Sequence, residues 1–257
     1  MKDVHRSAAI GFDKAAEVYE RARPGYPTEA IDYLIEQLHV PPKGTVVDLA
    51  AGTGKLTREL VARDLNTIAV EPVEGMRRTF SSVLPDVPIL AGTAEEMPFE
   101  DHSVDAITAA QAAHWFDAKR AVVEFHRVLR PGGRIALMWN VRDESFDWVR
   151  RVTEIIDPYE RANGTPRYKH RAWQPPFDES PLIKAVGKQS FPYAQPMTLQ
   201  GFLDRFNSCS FIAILDDGSK RAVLDELQEL VRTHPELAGK KEFEQPYVTE
   251  VYVYGTA

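Results

Sequence analysis

The segment Val46-Val47-Asp48-Leu49-Ala50-Ala51-Gly52-Thr53-Gly54-Lys55 constrains the fold more than any other stretch of this chain. The β-branched pair Val46 and Val47 suits a strand buried on both faces. Gly52 and Gly54 allow a sharp turn and close backbone approach to a ligand before a helix starts near Lys55. Such a turn stands where open α/β sheets bind their ligands. What the turn lacks narrows the ligand. A phosphate-cradling loop requires Gly five residues before the Gly-Lys pair and Ser or Thr after it, and those positions hold Leu49 and Leu56. A dinucleotide fingerprint requires a third Gly or Ala where Thr57 stands, which disfavours hydride transfer.

The turn does have acidic neighbours. Asp48 precedes it, and Glu71 ends the next apolar run, Thr67-Ile68-Ala69-Val70. Carboxylates at two adjacent strand ends suit a ligand that offers hydroxyls and an amine and has no phosphates. With Asp48, Gly52 and Gly54 in place, the chain resembles the class I S-adenosylmethionine-dependent methyltransferases, in particular small-molecule enzymes of the trans-aconitate and ubiquinone methyltransferase type. It departs from the family at Ala50, where the family usually has its first Gly; a methyl group there is tolerable if the backbone stays at negative φ. Further matches follow in order over roughly residues 44 to 140. Glu71, followed by Pro72, matches the residue that takes the ribose hydroxyls, and Thr93-Ala94-Glu95 matches the segment facing the adenine. Gln111 lies just past the fourth strand, and residues 124 to 134, with Pro131-Gly132-Gly133, match the helix and turn before the fifth.

Strand-like runs near 45–50, 67–71, 87–91, 104–110 and 134–140 alternate with helical segments near 55–63, 74–84 and 117–130, which means a parallel sheet with right-handed crossovers. Strands near 186–193 and 247–254 complete a seven-stranded sheet. The resemblance implies a Rossmann-like three-layer α/β sandwich whose last strand runs antiparallel between the fifth and sixth. It also implies one domain over 1–257, with the cofactor-binding core at 44–140 and the final strands within 186–197 and 241–257. Residues 1–43 read as an N-terminal helical cap. They comprise a short helix over 8–20, a break at Pro24 and Pro27, and a helix that Thr28 can cap, with Ile31, Leu34, Ile35 and Leu38 on one face and Pro41-Pro42 at its end. Residues 141–185, with a helix from about Phe146 to Arg161, and residues 198–240, with two more helices, read as insertions forming a lid, since specificity usually sits on segments carried by a rigid sheet.

Composition agrees with this reading. The net charge of −7, from 31 basic and 38 acidic residues scattered along the chain, shows no basic stripe for nucleic acid, and no Asn-Pro-Pro-Tyr type motif follows the fourth strand. The single Cys209 rules out an internal disulfide. No apolar run follows the charged Met1–Arg6 stretch or approaches the roughly 18 residues of a spanning helix, so the expectation is a cytoplasmic monomer or homodimer away from membranes. Asn163-Gly164-Thr165 then reads as a plain turn.

Methyl transfer asks mainly for alignment and exclusion of water, and a general base is required only if the acceptor is protonated. His114, in Gln111-Ala112-Ala113-His114-Trp115-Phe116-Asp117, is the candidate base, with the alternative that it only orders the loop. Trp115 is a candidate substrate wall, and Tyr26, Asn140 and Arg142 are further substrate candidates. The resemblance covers Tyr19-Glu20-Arg21-Ala22-Arg23-Pro24-Gly25-Tyr26-Pro27 as well. It implies that Tyr19 covers the methionine part of the cofactor and that Arg23 pairs with the cofactor carboxylate. The reading is methyl transfer from S-adenosylmethionine, leaving S-adenosylhomocysteine, to an O, N or C nucleophile of a small-molecule acceptor, with no metal. A non-catalytic S-adenosylmethionine-binding protein and a nicotinamide-dependent oxidoreductase are the alternatives; no Tyr-x-x-x-Lys pair supports the second.

Overall fold

The computed structural model describes residues 23–162 and 168–257; the expected helix over 8–20, Tyr19 and the 163–165 turn lie outside them. Helix α1 (Thr28–Leu38) precedes β1 (Thr45–Leu49). Then come α2 (Lys55–Val61), β2 (Asn66–Val70), α3 (Glu74–Val83), β3 (Ile89–Leu90), β4 (Val104–Ala110), α4 (Ala118–Val128) and β5 (Leu129–Arg142). Helices α5 (Asp147–Ala162) and α6 (Gln174–Asp178) lead to β6 (Ile183–Thr198). Helices α7 (Leu199–Asn207), α8 (Ser210–Ala213) and α9 (Asp217–Thr233) lead to β7 (Glu242–Thr256).

The seven strands form one sheet in the order β3-β2-β1-β4-β5-β7-β6. The β1–β2, β1–β4, β2–β3 and β4–β5 pairs are parallel, and β7 is antiparallel to both β5 and β6, as expected. The chain leaves β1 toward β2 on one side and returns to β4 on the other. The turn after β1 therefore opens at the switch point, where no crossover helix covers the strand ends.

Helix α1 buries Ala30, Ile31, Leu34 and Leu38 against Val46, Ala136, Met138, Val251 and Val253 on one face of the sheet, while Ile35 is only partly covered. Thr28 is not its cap: Pro27 holds the N-cap position without a side-chain hydrogen bond, and His39 in the left-handed region ends the helix ahead of Pro41-Pro42. Strand β5 starts earlier than its apolar run, because Leu129 already pairs with Val104 and Pro131-Gly132-Gly133 is absorbed as an irregularity in the register. Edge strand β6 tolerates Pro192 and Pro196, which need donate nothing outward.

Strands β6 and β7 are much longer than the expected 186–193 and 247–254, at 16 and 15 residues. Their extra length, from Ala194↔Pro246 to Thr198↔Glu242, carries a second apolar cluster. There Trp148, Val152 and Ile156 of α5 meet Phe202 and Phe206 of α7, Val223 and Leu227 of α9, and Phe243 of β7. The segment after β6 has three helices rather than two. Among the described residues no helix is long and apolar enough to cross a membrane.

Candidate active site

The turn after β1 alternates backbone hand. Ala50, Gly52 and Gly54 have φ of 53°, 58° and 89°. The expectation of negative φ at Ala50 is thus overturned; the methyl group is held in the left-handed region, which costs a side-chain-bearing residue roughly 1–2 kcal/mol. Gln111, at the end of β4, is the second strained residue, at φ 59°, with its N–H bonded to Met138 O at 2.7 Å. Both face one cavity, and strain of this kind collects at functional sites.

Each glycine has its own task. A Cβ on Gly52 would meet nothing within 4 Å, so this position leaves open space at the mouth of the turn. A Cβ on Gly54 would stand 2.7 Å from Leu84 and 3.0 Å from Phe80. Gly54 is therefore a packing residue that seats α2 against α3, and it does not line the cavity.

The two carboxylates are held differently. Asp48 is 1% exposed; it accepts from the Thr57 hydroxyl at 2.6 Å and from the Thr108 hydroxyl at 3.1 Å. Burial pushes its carboxyl up to about 6 against these bonds. Glu71, 5% exposed, accepts from the Gly52 N–H at 3.0 Å and the Val73 N–H at 2.8 Å, and burial raises it to about 7. The left-handed Gly52 is what aims an amide at Glu71, so turn and acid are one device. Two threonines placed by helix α2 and strand β4, neither read from the sequence as a site residue, position Asp48.

The cavity is walled by Asp48, Ala50 and Gln111 from the strand ends and by Arg23 and Tyr26 from the segment before α1. Arg23 also donates to Ser208 O at 3.1 Å, tying that segment to α7 and α8. Asn140 donates to Gly25 O at 2.7 Å and accepts from the Thr249 hydroxyl at 2.7 Å, so it fastens the same segment to the sheet. Arg142 turns to Thr153 of α5, 3.3 Å away. Pro72 carries a carbonyl that accepts from Arg77 at 2.7 Å. Thr93 bridges Glu96, Ala94 is buried at 3% exposure, and Glu95 accepts from the Asp117 N–H at 2.8 Å; these three stand past β3, apart from the cavity.

His114 sits in a single 3-10 turn, Ala113–Trp115, with its ring 5.2 Å from that of Trp115. Its Nδ1 accepts from the Trp139 indole at 3.3 Å. Burial, and then the charge of Arg23, lower its pKa to about 3. With Nδ1 engaged as acceptor, Nε2 of the neutral ring carries the proton and can only donate. The geometry favours the loop-ordering alternative over the base. Among the cavity residues that sequence reasoning missed, two are basic. One is Lys55, which opens α2; the other is Arg205, 8% exposed on α7. Its signal was legible: a charge at the Phe202, Arg205, Phe206 spacing lies on an otherwise apolar helix face.

The profile of the family described as "Methyltransferase domain" matches residues 47–137, which span the turn, both carboxylates and the strained end of β4. An uncharacterized methyltransferase of Mycobacterium tuberculosis is 40% identical over 244 residues, 95% of each chain. The chain belongs to the class I methyltransferases. An uncharacterized methyltransferase-like protein of Schizosaccharomyces pombe is 32% identical over 235 residues, 91% of each chain. Among solved structures, a protein of Anabaena variabilis described as a methyltransferase from an antibiotic biosynthesis pathway superposes with TM-score 0.63 at 19% identity. That superposition covers 92% of this chain and 99% of that one, and at this identity it supports the fold alone.

Proposed function

We propose that this methyltransferase uses S-adenosylmethionine to methylate a small molecule. The observation that carries the reading is the pairing of Glu71 with the Gly52 N–H at the mouth of a turn that leaves open space where a Cβ would be, beside a second buried acid, Asp48. The donor set fits the cofactor. Buried carboxylates at two strand ends suit ribose hydroxyls and an ammonium group, and Arg23 at the cavity wall suits a carboxylate. When bound, the cofactor supplies an electrophilic methyl group on a sulfonium. This chain's residues bind, orient and exclude water: Glu71 takes the ribose, Asp48 shapes the methionine side with Gly52, and Ala94 and Glu95 lie toward the adenine. Trp115 and Tyr26 wall the acceptor side, while α5 and α7–α9 act as a lid.

The test is calorimetric titration with S-adenosylmethionine, S-adenosylhomocysteine and NADH in parallel. Micromolar binding of the two sulfur compounds with no heat from NADH is the expected result. Binding of NADH alone would remove the assignment.

A further inference from the structure

We infer that residues 168–178 form a strap that sets the acceptor wall of the site: clamped by Glu250 and stacked on Trp139, the strap holds the His114 ring and with it the Ala113–Trp115 turn. Glu250, Trp173 and Trp139 are then positioning residues that act on a bound acceptor only through that turn. The inference rests on the reading of the cavity as a methyl-transfer site with Trp115 on its acceptor side.

One carboxylate fastens the strap. Glu250 of β7, whose side chain is 16% exposed, accepts from the Tyr168 hydroxyl, from the Tyr252 hydroxyl at 2.9 Å and from Arg171 at 3.4 Å. The Lys188 ammonium stands 3.8 Å from its other oxygen. Arg171 also donates to the Tyr252 hydroxyl at 2.6 Å, and the Tyr168 and Tyr252 hydroxyls are 2.8 Å apart. Tyr168 and Arg171 belong to the strap, while Tyr252 and Lys188 belong to β7 and β6, so Glu250 sits at the seam between them. Arg171 is held at φ 50°, in the left-handed region, where a residue with a side chain persists only if its surroundings over-determine it. The bonds to Glu250 and Tyr252 do so.

The clamp stands next to the ring that touches the turn. Glu250 is opposite Trp139 in the β5–β7 register. Against the Trp139 ring lie Trp173, with centroids 4.5 Å apart, and Tyr168, at 4.7 Å, and Trp173 meets Phe177 of α6 edge-on at 5.9 Å. Trp173 is 3% exposed and its indole N–H has no hydrogen-bond partner, so ring contact is what keeps it in place. Packing of this density fixes the Trp139 rotamer, and its indole N–H then points at His114 Nδ1, 3.3 Å away.

The turn borders the cavity. It follows Ala110 and Gln111, which line the cavity, and the charge of Arg23, another lining residue, reaches His114. Its own backbone supplies two bonds, from the Trp115 N–H to Ala112 O at 2.8 Å and from the Phe116 N–H to Ala113 O at 3.3 Å. A single 3-10 turn has poor hydrogen-bond geometry and few ways to hold itself. The indole bond therefore decides how the His114 ring stands, and with it Trp115, whose ring is 5.2 Å away.

The test reads His114 directly. Protein labelled with 15N-histidine is saturated with S-adenosylhomocysteine, and His114 is assigned among the seven histidines by comparison with His114→Gln. Proton–nitrogen correlation spectra should show one neutral tautomer, protonated at Nε2. Trp139→Phe should mix the two tautomers. Glu250→Ala and Trp173→Leu should do so to a lesser degree, and both should speed hydrogen exchange in residues 112–117 about tenfold while leaving β1 unchanged. Affinity for S-adenosylmethionine should stay within about twofold in all three variants, because the strap acts on the acceptor side. Should Trp173→Leu fail to fold, Glu250→Gln at the part-exposed seam carries the same comparison. A proton on Nδ1 in the wild-type chain, or unchanged tautomer and exchange at 112–117 in the Glu250 variants, overturns the inference. Failure of S-adenosylhomocysteine to bind overturns the underlying reading of the cavity instead, and the hold of the strap on His114 is then read from the same spectra of the apo protein.

Discussion

Strands β1 and β4 are short, parallel and buried, and they end in strained residues over a cavity. Strands β6 and β7 run on as a long antiparallel pair whose far ends leave the main sheet and build a second apolar cluster with α5, α7 and α9. The first region gains precision from backbone: the Glu71 carboxylate ties the turn after β1 to the turn after β2 through the Gly52 and Val73 amides, and Ala50 stands in the left-handed region beside them. The second gains its arrangement from side-chain packing between segments far apart in the chain. A cofactor common to a whole family suits the first kind of site. An acceptor peculiar to one member suits the second, because helices on a hairpin can vary without disturbing the turn.

That contrast can be broken, most forcefully at Phe202. Phe202→Ala leaves a void among Trp148, Phe206 and Phe243 and should cost about 3–5 kcal/mol in chemical denaturation. S-adenosylmethionine affinity at 20 °C should change less than threefold if the two regions are as separate as the packing suggests. Next is Glu71→Gln, which removes the charge that hydroxyls would meet. A charge-assisted bond contributes about 1.5–3 kcal/mol, so calorimetry should read a loss of roughly 10- to 150-fold in affinity, while the apo melting temperature at pH 8 holds or rises.

The pH dependence sharpens the same point. Glu71 is raised to about 7 and Asp48 to about 6 in the fold, above the usual carboxylate range, so the folded apo chain favours their protonated forms. Their contribution to stability is present below about pH 4 and lost as pH rises through 6 to 7. Binding has the opposite slope, since the ionised acids are what the ligand requires. Affinity for S-adenosylmethionine should fall up to tenfold per unit from pH 7 to 6, more steeply below 6 where Asp48 also takes up a proton, and flatten above 7, and Glu71→Gln should remove most of the slope between pH 6 and 8. The smallest effect belongs to Ala50→Gly. Relief of the left-handed Ala outweighs the added freedom of the unfolded chain, and the apo protein should gain about 0.5–1 kcal/mol by urea denaturation. A loss would mean that Ala50 relaxes to negative φ in solution.

Legibility in the sequence followed the range of the interactions. Asp48, Gly52 and Glu71 stood out because a strand, a glycine turn and a strand-end acid are local patterns; the order of elements implied the parallel part of the sheet, and the antiparallel place of its last strand came only from the family resemblance. Gly54 was readable as a glycine but not in its role, since its reason is the approach of Leu84 and Phe80 from another helix. His114 has the residue type of a base, and only Trp139 and burial show why it serves poorly as one. Arg205 left a trace in the sequence, a charge on an apolar helix face, but what places it at the cavity is the approach of distant segments.

The sequence by itself determined the alternation that makes a parallel α/β sheet, the position of the glycine turn after its first strand and the acids beside it, because hydrophobic period and glycine placement act within a few residues. Tertiary structure alone decided the left-handed strain at Ala50 and Gln111, the raised acids, and the meeting at one cavity of Arg23 with Arg205 of α7, about 180 residues later. Those properties depend on desolvation and on contacts between distant segments, and neither exists until the chain has closed.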